Sequence, residues 1–178
     1  EIVETFAAQL AATLSPEERA IIGRDRTDNL EAFREFMRGK QDMSLASFKG
    51  LSDAVTHFES AIRLDPKYCL ANAALANSYA SMASTGAISV SEMIAKGREH
   101  IDRAVELDAD NGFVQAVLAR YAVAADDPAA ENLFLHSLEL APNDVDVLSI
   151  YATHLRTARR SEEALPILER ALDLDPLS

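Results

Sequence analysis

The sequence predicts an all-α protein made of antiparallel helix pairs stacked side by side. Three observations carry this. Gly and Pro together supply only 12 of 178 residues, roughly half their usual share, so the chain turns seldom. Ala and Leu supply 52 residues, and both are strong helix formers. A small–large–small spacing followed by a turn recurs along the chain, at offsets that place its residues on one helical face. A sandwich or barrel needs many more turn signals. With 48% hydrophobic residues, a chain of this length buries roughly 70% of its unfolded surface as one ordinary domain.

The first stretch stands apart. Ile2, Val3, Phe6, Leu10 and Leu14 form an amphipathic stripe. Ser15-Pro16-Glu17-Glu18 reads as a helix start: Ser caps, Pro fits the first helical position, and Glu18 completes a capping box. Asp28 with Glu31 suggests the next start, just before Leu30. Two short helices are therefore expected over residues 1–29. Their role would be to cover the apolar face of the first pair, because terminal units of a stacked array need a cap.

From Leu30 onward the chain repeats. Ala54, Phe58, Ala61 and Pro66 set the spacing. It returns as Ala130, Phe134, Ser137, Pro142 and as Ala164, Leu168, Ala171, Pro176, with a weaker copy at Gly97, Ile101, Ala104, Ala109. Successive copies lie 43, 33 and 34 residues apart. The small residues let a neighbouring helix approach, the large one fills the contact, and the prolines end the helix. A partner helix precedes each later copy, marked by Leu75-Ala76 with Tyr79, Leu118-Ala119 with Ala122, and Tyr151-Ala152 with Leu155. Each unit reads helix, turn, helix.

These residues resemble the tetratricopeptide repeat (TPR) family. Residues 145–178 look like a complete repeat and 112–144 like a second. Residues 69–111 look like a third with an insertion near Ser84–Val90, and 30–68 like a fourth with a longer loop near Gln41–Lys49. The family's usual Trp and Gly of the first helix are absent. The resemblance implies a TPR solenoid of about four repeats, a right-handed superhelix over residues 30–178, behind capping helices at 1–29. The chain runs out just after Pro176, so Leu165, Leu168 and Leu172 are expected to be exposed or to meet further repeats. It begins with Glu1, which reads as a piece of a longer protein.

A shorter resemblance covers the entry to the repeats. Leu14-Ser15-Pro16-Glu17-Glu18-Arg19, Arg26-Thr27-Asp28-Asn29-Leu30-Glu31-Ala32-Phe33 and Met37-Arg38-Gly39-Lys40 are similar to the segment entering the repeats of bacterial multidomain signalling proteins. An adenylate/guanylate cyclase or a winged-helix DNA-binding domain lies upstream in those. That resemblance implies a regulatory region, cytoplasmic in the cyclase type and periplasmic in some winged-helix types.

The formal charge is −12, from 29 acidic and 17 basic residues. Such a field repels phosphates, which argues against nucleic acid and anionic membrane as partners of this segment. The single cysteine, Cys69, excludes an internal disulfide framework and a multi-thiolate metal site, and a packed thiol is expected. His57, His100, His136 and His154 form no i, i+3 or i, i+4 pair, so no helix presents a two-His metal face. Gly39-Lys40 lacks the preceding glycine of a phosphate loop. Asp108-Ala109-Asp110-Asn111-Gly112 starts like a calcium loop, but Gly112 and Ala119 occupy ligand positions, so it is read as a turn. Nothing nominates a nucleophile with its base, and no catalytic residue, metal or cofactor is assigned.

The expectation that remains is recognition. In proteins resembling this one, the first helix of each pair lines a concave groove. Carried over residue by residue, that gives Leu70, Ala73, Asn77, Ala80 and Ser81; Phe113, Ala116, Arg120, Val123 and Ala124; and Asp146, Ser149, Thr153, Arg156 and Thr157. Glu31, Arg34 and Arg38 are looser correspondences in the first unit. Arg120 and Arg156 would place positive charge inside an acidic protein, and Arg forks favour carboxylates; equally, they would pair internally with Asp or Glu. The family's chaperone-tail clamp is not matched, since Ala73 stands where its Lys belongs. The expected function is a non-catalytic module binding a protein or peptide partner. The alternative is a homo-oligomerisation module, a homodimer for example, formed through the uncapped last repeat or the N-terminal helix.

Overall fold

A computed structural model describes residues 27–45 and 47–175. Of the capping helices predicted over residues 1–29, all but residues 27–29 lie outside the described residues, as does the turn at Pro176. Among the described residues there are eight helices and no strand: α1 Leu30–Ser44, α2 Phe48–Leu64, α3 Cys69–Ser84, α4 Val90–Leu107, α5 Gly112–Ala124, α6 Ala130–Leu140, α7 Val145–Thr157 and α8 Ser161–Leu174. The protein is all-α over this range. The closest packing is within α1–α2, α3–α4, α5–α6 and α7–α8. Each pair leans on the next, and the first helices α3, α5 and α7 also touch one another in a row.

Local chemistry fixes the helix starts. The α1 cap is Asn29 rather than Asp28, its side chain accepting from the amides of Glu31 and Ala32. The Asn29 amide also donates to the Leu64 carbonyl at 3.0 Å, so one residue caps α1 and ties it to the end of α2. Ser47, Ser89, Asn111 and Asp144 cap α2, α4, α5 and α7 through side-chain oxygens. Three of the turns between paired helices share one device. Gly86, Asp126 and Arg159 each have positive φ, at 75°, 54° and 61°, two residues past the end of α3, α5 and α7. In each the next amide reaches back to a carbonyl in the last turn: Ala87 to Met82, Asp127 to Ala122, Arg160 to Leu155. This is a left-handed cap that glycine adopts most easily.

The recurrent small–large–small residues form the core between helices. Ala54, Phe58, Ala61, Ile101, Ala104, Phe134 and Ser137 are fully buried. Ser137 stands where the other copies carry Ala and satisfies its hydroxyl on the Phe134 carbonyl at 2.7 Å. Gly39 receives the Phe58 ring; a Cβ there would lie 2.6 Å from it. Gly97 is a tighter notch. Tyr121 of α5 passes α4 at that point, and its hydroxyl donates to the Ala76 carbonyl of α3 at 3.0 Å. One tyrosine thus pins three helices together. In the last pair the pattern opens: Ala164 and Ala171 are buried, but Leu165, Leu168 and Leu172 are 57%, 40% and 56% exposed.

Candidate functional site

The row α3, α5, α7 carries little charge of its own. α3 contains no ionisable acid or base beyond Cys69 and Tyr79, and Arg120 is the one charged residue of α5. Apolar residues dominate both because each is packed on several sides. Buried positions run without a break from Ala71 to Ala80.

Of the residues expected to line a groove, Ala73 and Ala116 are fully buried; they set helix spacing and offer no surface. Asn77 is buried, Leu70, Phe113, Arg120, Asp146 and Ser149 are half-buried, and Thr153 and Arg156 are exposed. The structure joins two of these directly. Arg120 Nη1 donates to Asn77 Oδ1, and also reaches Ser81 Oγ at 3.1 Å, while Nη2 donates to Ser84 Oγ at 3.0 Å. Neutral oxygens of α3, not an Asp or Glu, hold this cation. Burial without a counter-charge pulls the Arg120 guanidinium down to about 10, so it stays protonated at neutral pH. Arg156 has no ion-pair partner among the described residues. Arg34 and Arg38 instead pair within their own helix, with Glu31 and Glu35.

Asp146 meets Lys40 of α1, although 106 residues separate them. Since α3 and α5 stand between α1 and α7 in the stacking order, this contact brings α1 within reach of α7 across them. Beyond Arg120, a cavity of about 200 Å³ opens among α3, α4, α5, α6 and α7. Ala80, Val90, Met93, Val123, Phe134 and Ile150 give it an apolar wall; Ser84, Arg120, Thr153, His154 and Thr157 supply its polar atoms.

A second cluster ties α6 to α7 and to the start of α8, and sequence reasoning did not find it. Glu131 accepts from Tyr151 Oη and Arg160 Nη1, both at 2.9 Å, and lies 3.4 Å from His154 Nε2. Burial works to raise the Glu131 carboxyl, but hydrogen bonds from Arg160 and Tyr151, with the charges of Arg160 and His154, together hold it below the ordinary value. Arg160 also forks onto Glu163, and the His154 ring stacks on Phe134 at 4.5 Å. Only the Arg160–Glu163 spacing was visible in sequence.

His57, His100 and Cys69 are each engaged locally. His57 contacts Glu35 at 2.7 Å and Asp42 at 3.5 Å. The His57 hydrogen bond, against a smaller effect of burial, leaves Glu35 below the usual carboxylate range. His100 lies 3.3 Å from Asn72 Oδ1, and burial lowers its pKa. The Cys69 thiol is buried and reaches the Ala104 carbonyl at 3.4 Å. Among the described residues no group of three His, Cys, Asp or Glu is placed to hold a metal ion, and no helix is long and apolar enough to cross a membrane. What the row offers chemically is a fixed guanidinium, a second exposed arginine, hydroxyls and an apolar recess.

No family model matches the chain. Over 156 residues it is 26% identical to the transcriptional regulator HilA of Salmonella typhimurium, and equally to that of Salmonella typhi. HilA of Salmonella paratyphi A is similar at the same identity. These matches take in 84% of this chain and 27% of each relative, so the chain spans about a quarter of the length of the curated relatives it matches.

Proposed function

We propose that this chain is a TPR module of about four repeats within a larger bacterial regulatory protein, and that it binds a peptide or helix of a partner protein along α3, α5 and α7. The reading takes the helix pairs as a right-handed superhelix whose concave side carries that row; the Lys40–Asp146 contact across the row is what such curvature produces. The partial likeness to a transcriptional regulator supports the regulatory setting, and with it a cytoplasmic location. This segment acts by recognition and not by catalysis. Its charge of −12 directs it to protein and away from nucleic acid.

One observation carries the reading. Arg120 and Arg156 both stand on the row, and neither has a carboxylate partner among the described residues, in a chain where acids outnumber bases 29 to 17. Unmatched guanidinium groups on one face suit a segment bearing acidic and apolar residues. The test compares Arg156→Glu with Arg103→Glu, which sits on α4, in capture from the source lysate. A protein retained by the parent and by Arg103→Glu, but lost by Arg156→Glu at unchanged helicity, supports the row as the working face. Equal retention by both variants overturns it.

A second reading rests on α8. Leu165, Leu168 and Leu172 lie on one face at helical spacing and are largely exposed, as suits self-association. Sedimentation of the chain over a range of concentrations, beside Leu168→Glu, separates the two. A monomer at every concentration removes this second reading.

A further inference from the structure

The cavity beside Arg120 has a chemistry of its own. Arginine carries five N–H donors. Nη1 uses both of its donors on Asn77, through Oδ1 and the backbone carbonyl, and on Ser81 Oγ, and Nη2 uses one on Ser84 Oγ. The Nε donor and the second Nη2 donor have no acceptor among the described residues. Two N–H groups on one planar fork are what a carboxylate takes up in a bidentate pair. The fork is also prepositioned, because three side chains of α3 hold it and little rotamer freedom is left to lose.

The surroundings select for an anion with an apolar body. The chain has 29 acidic residues, yet no Asp or Glu lines this cavity. Glu131, which reaches the lining residue His154, is already taken by Tyr151 and Arg160. Most of the remaining lining is apolar, with Val90 and Val123 the most exposed of it at 50% and 40%. Size narrows the ligand further. At about 200 Å³ the cavity exceeds the ~150 Å³ that admits a benzene ring and falls short of the ~300 Å³ at which sites for drug-sized molecules begin.

We propose that this cavity binds a small free monocarboxylic acid with a compact apolar group, of the size of phenylacetate or a five-carbon branched acid. The carboxylate pairs with Arg120 and the hydrocarbon rests on Val90 and Val123, the most exposed apolar side chains of the lining. Such a site makes the module a receptor for an organic acid, in addition to any protein partner, and does not depend on that partner's existence.

The experiment is calorimetric titration of the whole chain with phenylacetate and isovalerate, beside phenylacetamide, isovaleramide and sodium chloride at matched concentration. A charge-assisted pair predicts that each acid binds at least ~10-fold tighter than its amide, with no heat from chloride. Arg120→Gln should abolish that difference. Should that variant fail to fold, Ala124→Leu decides, because it fills the cavity and leaves Arg120 in place. A folded Ala124→Leu protein that no longer takes up the acids supports the site, and one that binds them unchanged overturns it. Equal binding of acid and amide, or no binding of either, also overturns it. So does binding of a peptide ending in Phe with none of free phenylacetate, which would assign the carboxylate to a macromolecule.

Discussion

Replacing Gly97 by Ala places a new Cβ 1.7 Å from the Tyr121 hydroxyl and 2.8 Å from the ring carbon that bears it. Neither neighbour yields easily. The tyrosine is buried and its hydroxyl is bound to the Ala76 carbonyl, so moving it breaks a bond that joins α5 to α3. At an open helical site, Gly→Ala gains about 1 kcal/mol from helix propensity. Here overpacking costs about 1–3 kcal/mol, and stranding a buried hydroxyl costs about 1–3 kcal/mol more. The net expectation is a loss near 3 kcal/mol, which for a chain of this size lowers Tm by roughly 6–12 °C. Tyr121→Phe removes the atom in the worst clash. In that background Gly97→Ala should cost no more than about 1 kcal/mol, a coupling near 2 kcal/mol between the two positions. Thermal and urea unfolding of the four proteins, followed by circular dichroism, measures it. A Gly97→Ala protein that is more stable than the parent, or effects that simply add, would refute the claim that Tyr121 docks in a glycine notch.

Three further outcomes are expected. Arg159→Gly and Asp126→Gly each relieve a left-handed backbone at an otherwise unstrained turn, so each should raise stability by up to about 1 kcal/mol in urea unfolding. Glu131 and Glu35 have folded pKa values held below the ordinary 4.5. Their stabilisation is therefore present above pH ~4.5 and lost as pH falls through the lowered folded values. A Glu131→Gln/Glu35→Gln protein should show a shallower loss of Tm with acidification. Lys40→Ala breaks the contact with Asp146, but both side chains are nearly half exposed, so it should cost under ~1 kcal/mol. If the pair holds α1 against α7, small-angle scattering should report a larger radius of gyration for the variant.

The all-helical class was legible because it rests on composition and period, which many residues carry at once. The copies at Ala54, Ala130 and Ala164 placed α2, α6 and α8. Gly97 looked like the weakest copy. Its small size answers to Tyr121, 24 residues on, and a pairwise fit of that kind leaves no periodic trace. The left-handed turns were hidden for a related reason: two of the three positions are Asp126 and Arg159, where glycine would have announced them. At the candidate site, sequence nominated Asn77 and Arg120 separately, and the structure joined them. An internal ion pair was one expectation for Arg120. Neutral partners took its place because α3 carries no acid to offer. Asp146 was expected to face a partner and instead meets Lys40, a contact that no local pattern encodes.

The central claim is that the row α3, α5, α7 meets a partner protein. It is tested most directly by photo-crosslinking, with a benzophenone amino acid replacing Thr153 on α7, Arg103 on α4 or Leu168 on α8, one at a time and with Arg120 and Arg156 left in place, in the protein expressed in its source cells. The account predicts one crosslinked partner from position 153, none from 103, and competition of that crosslink by an acidic–apolar peptide taken from the partner. Crosslinks from 103 alone, or a second copy of this chain captured from both 153 and 168, would contradict it.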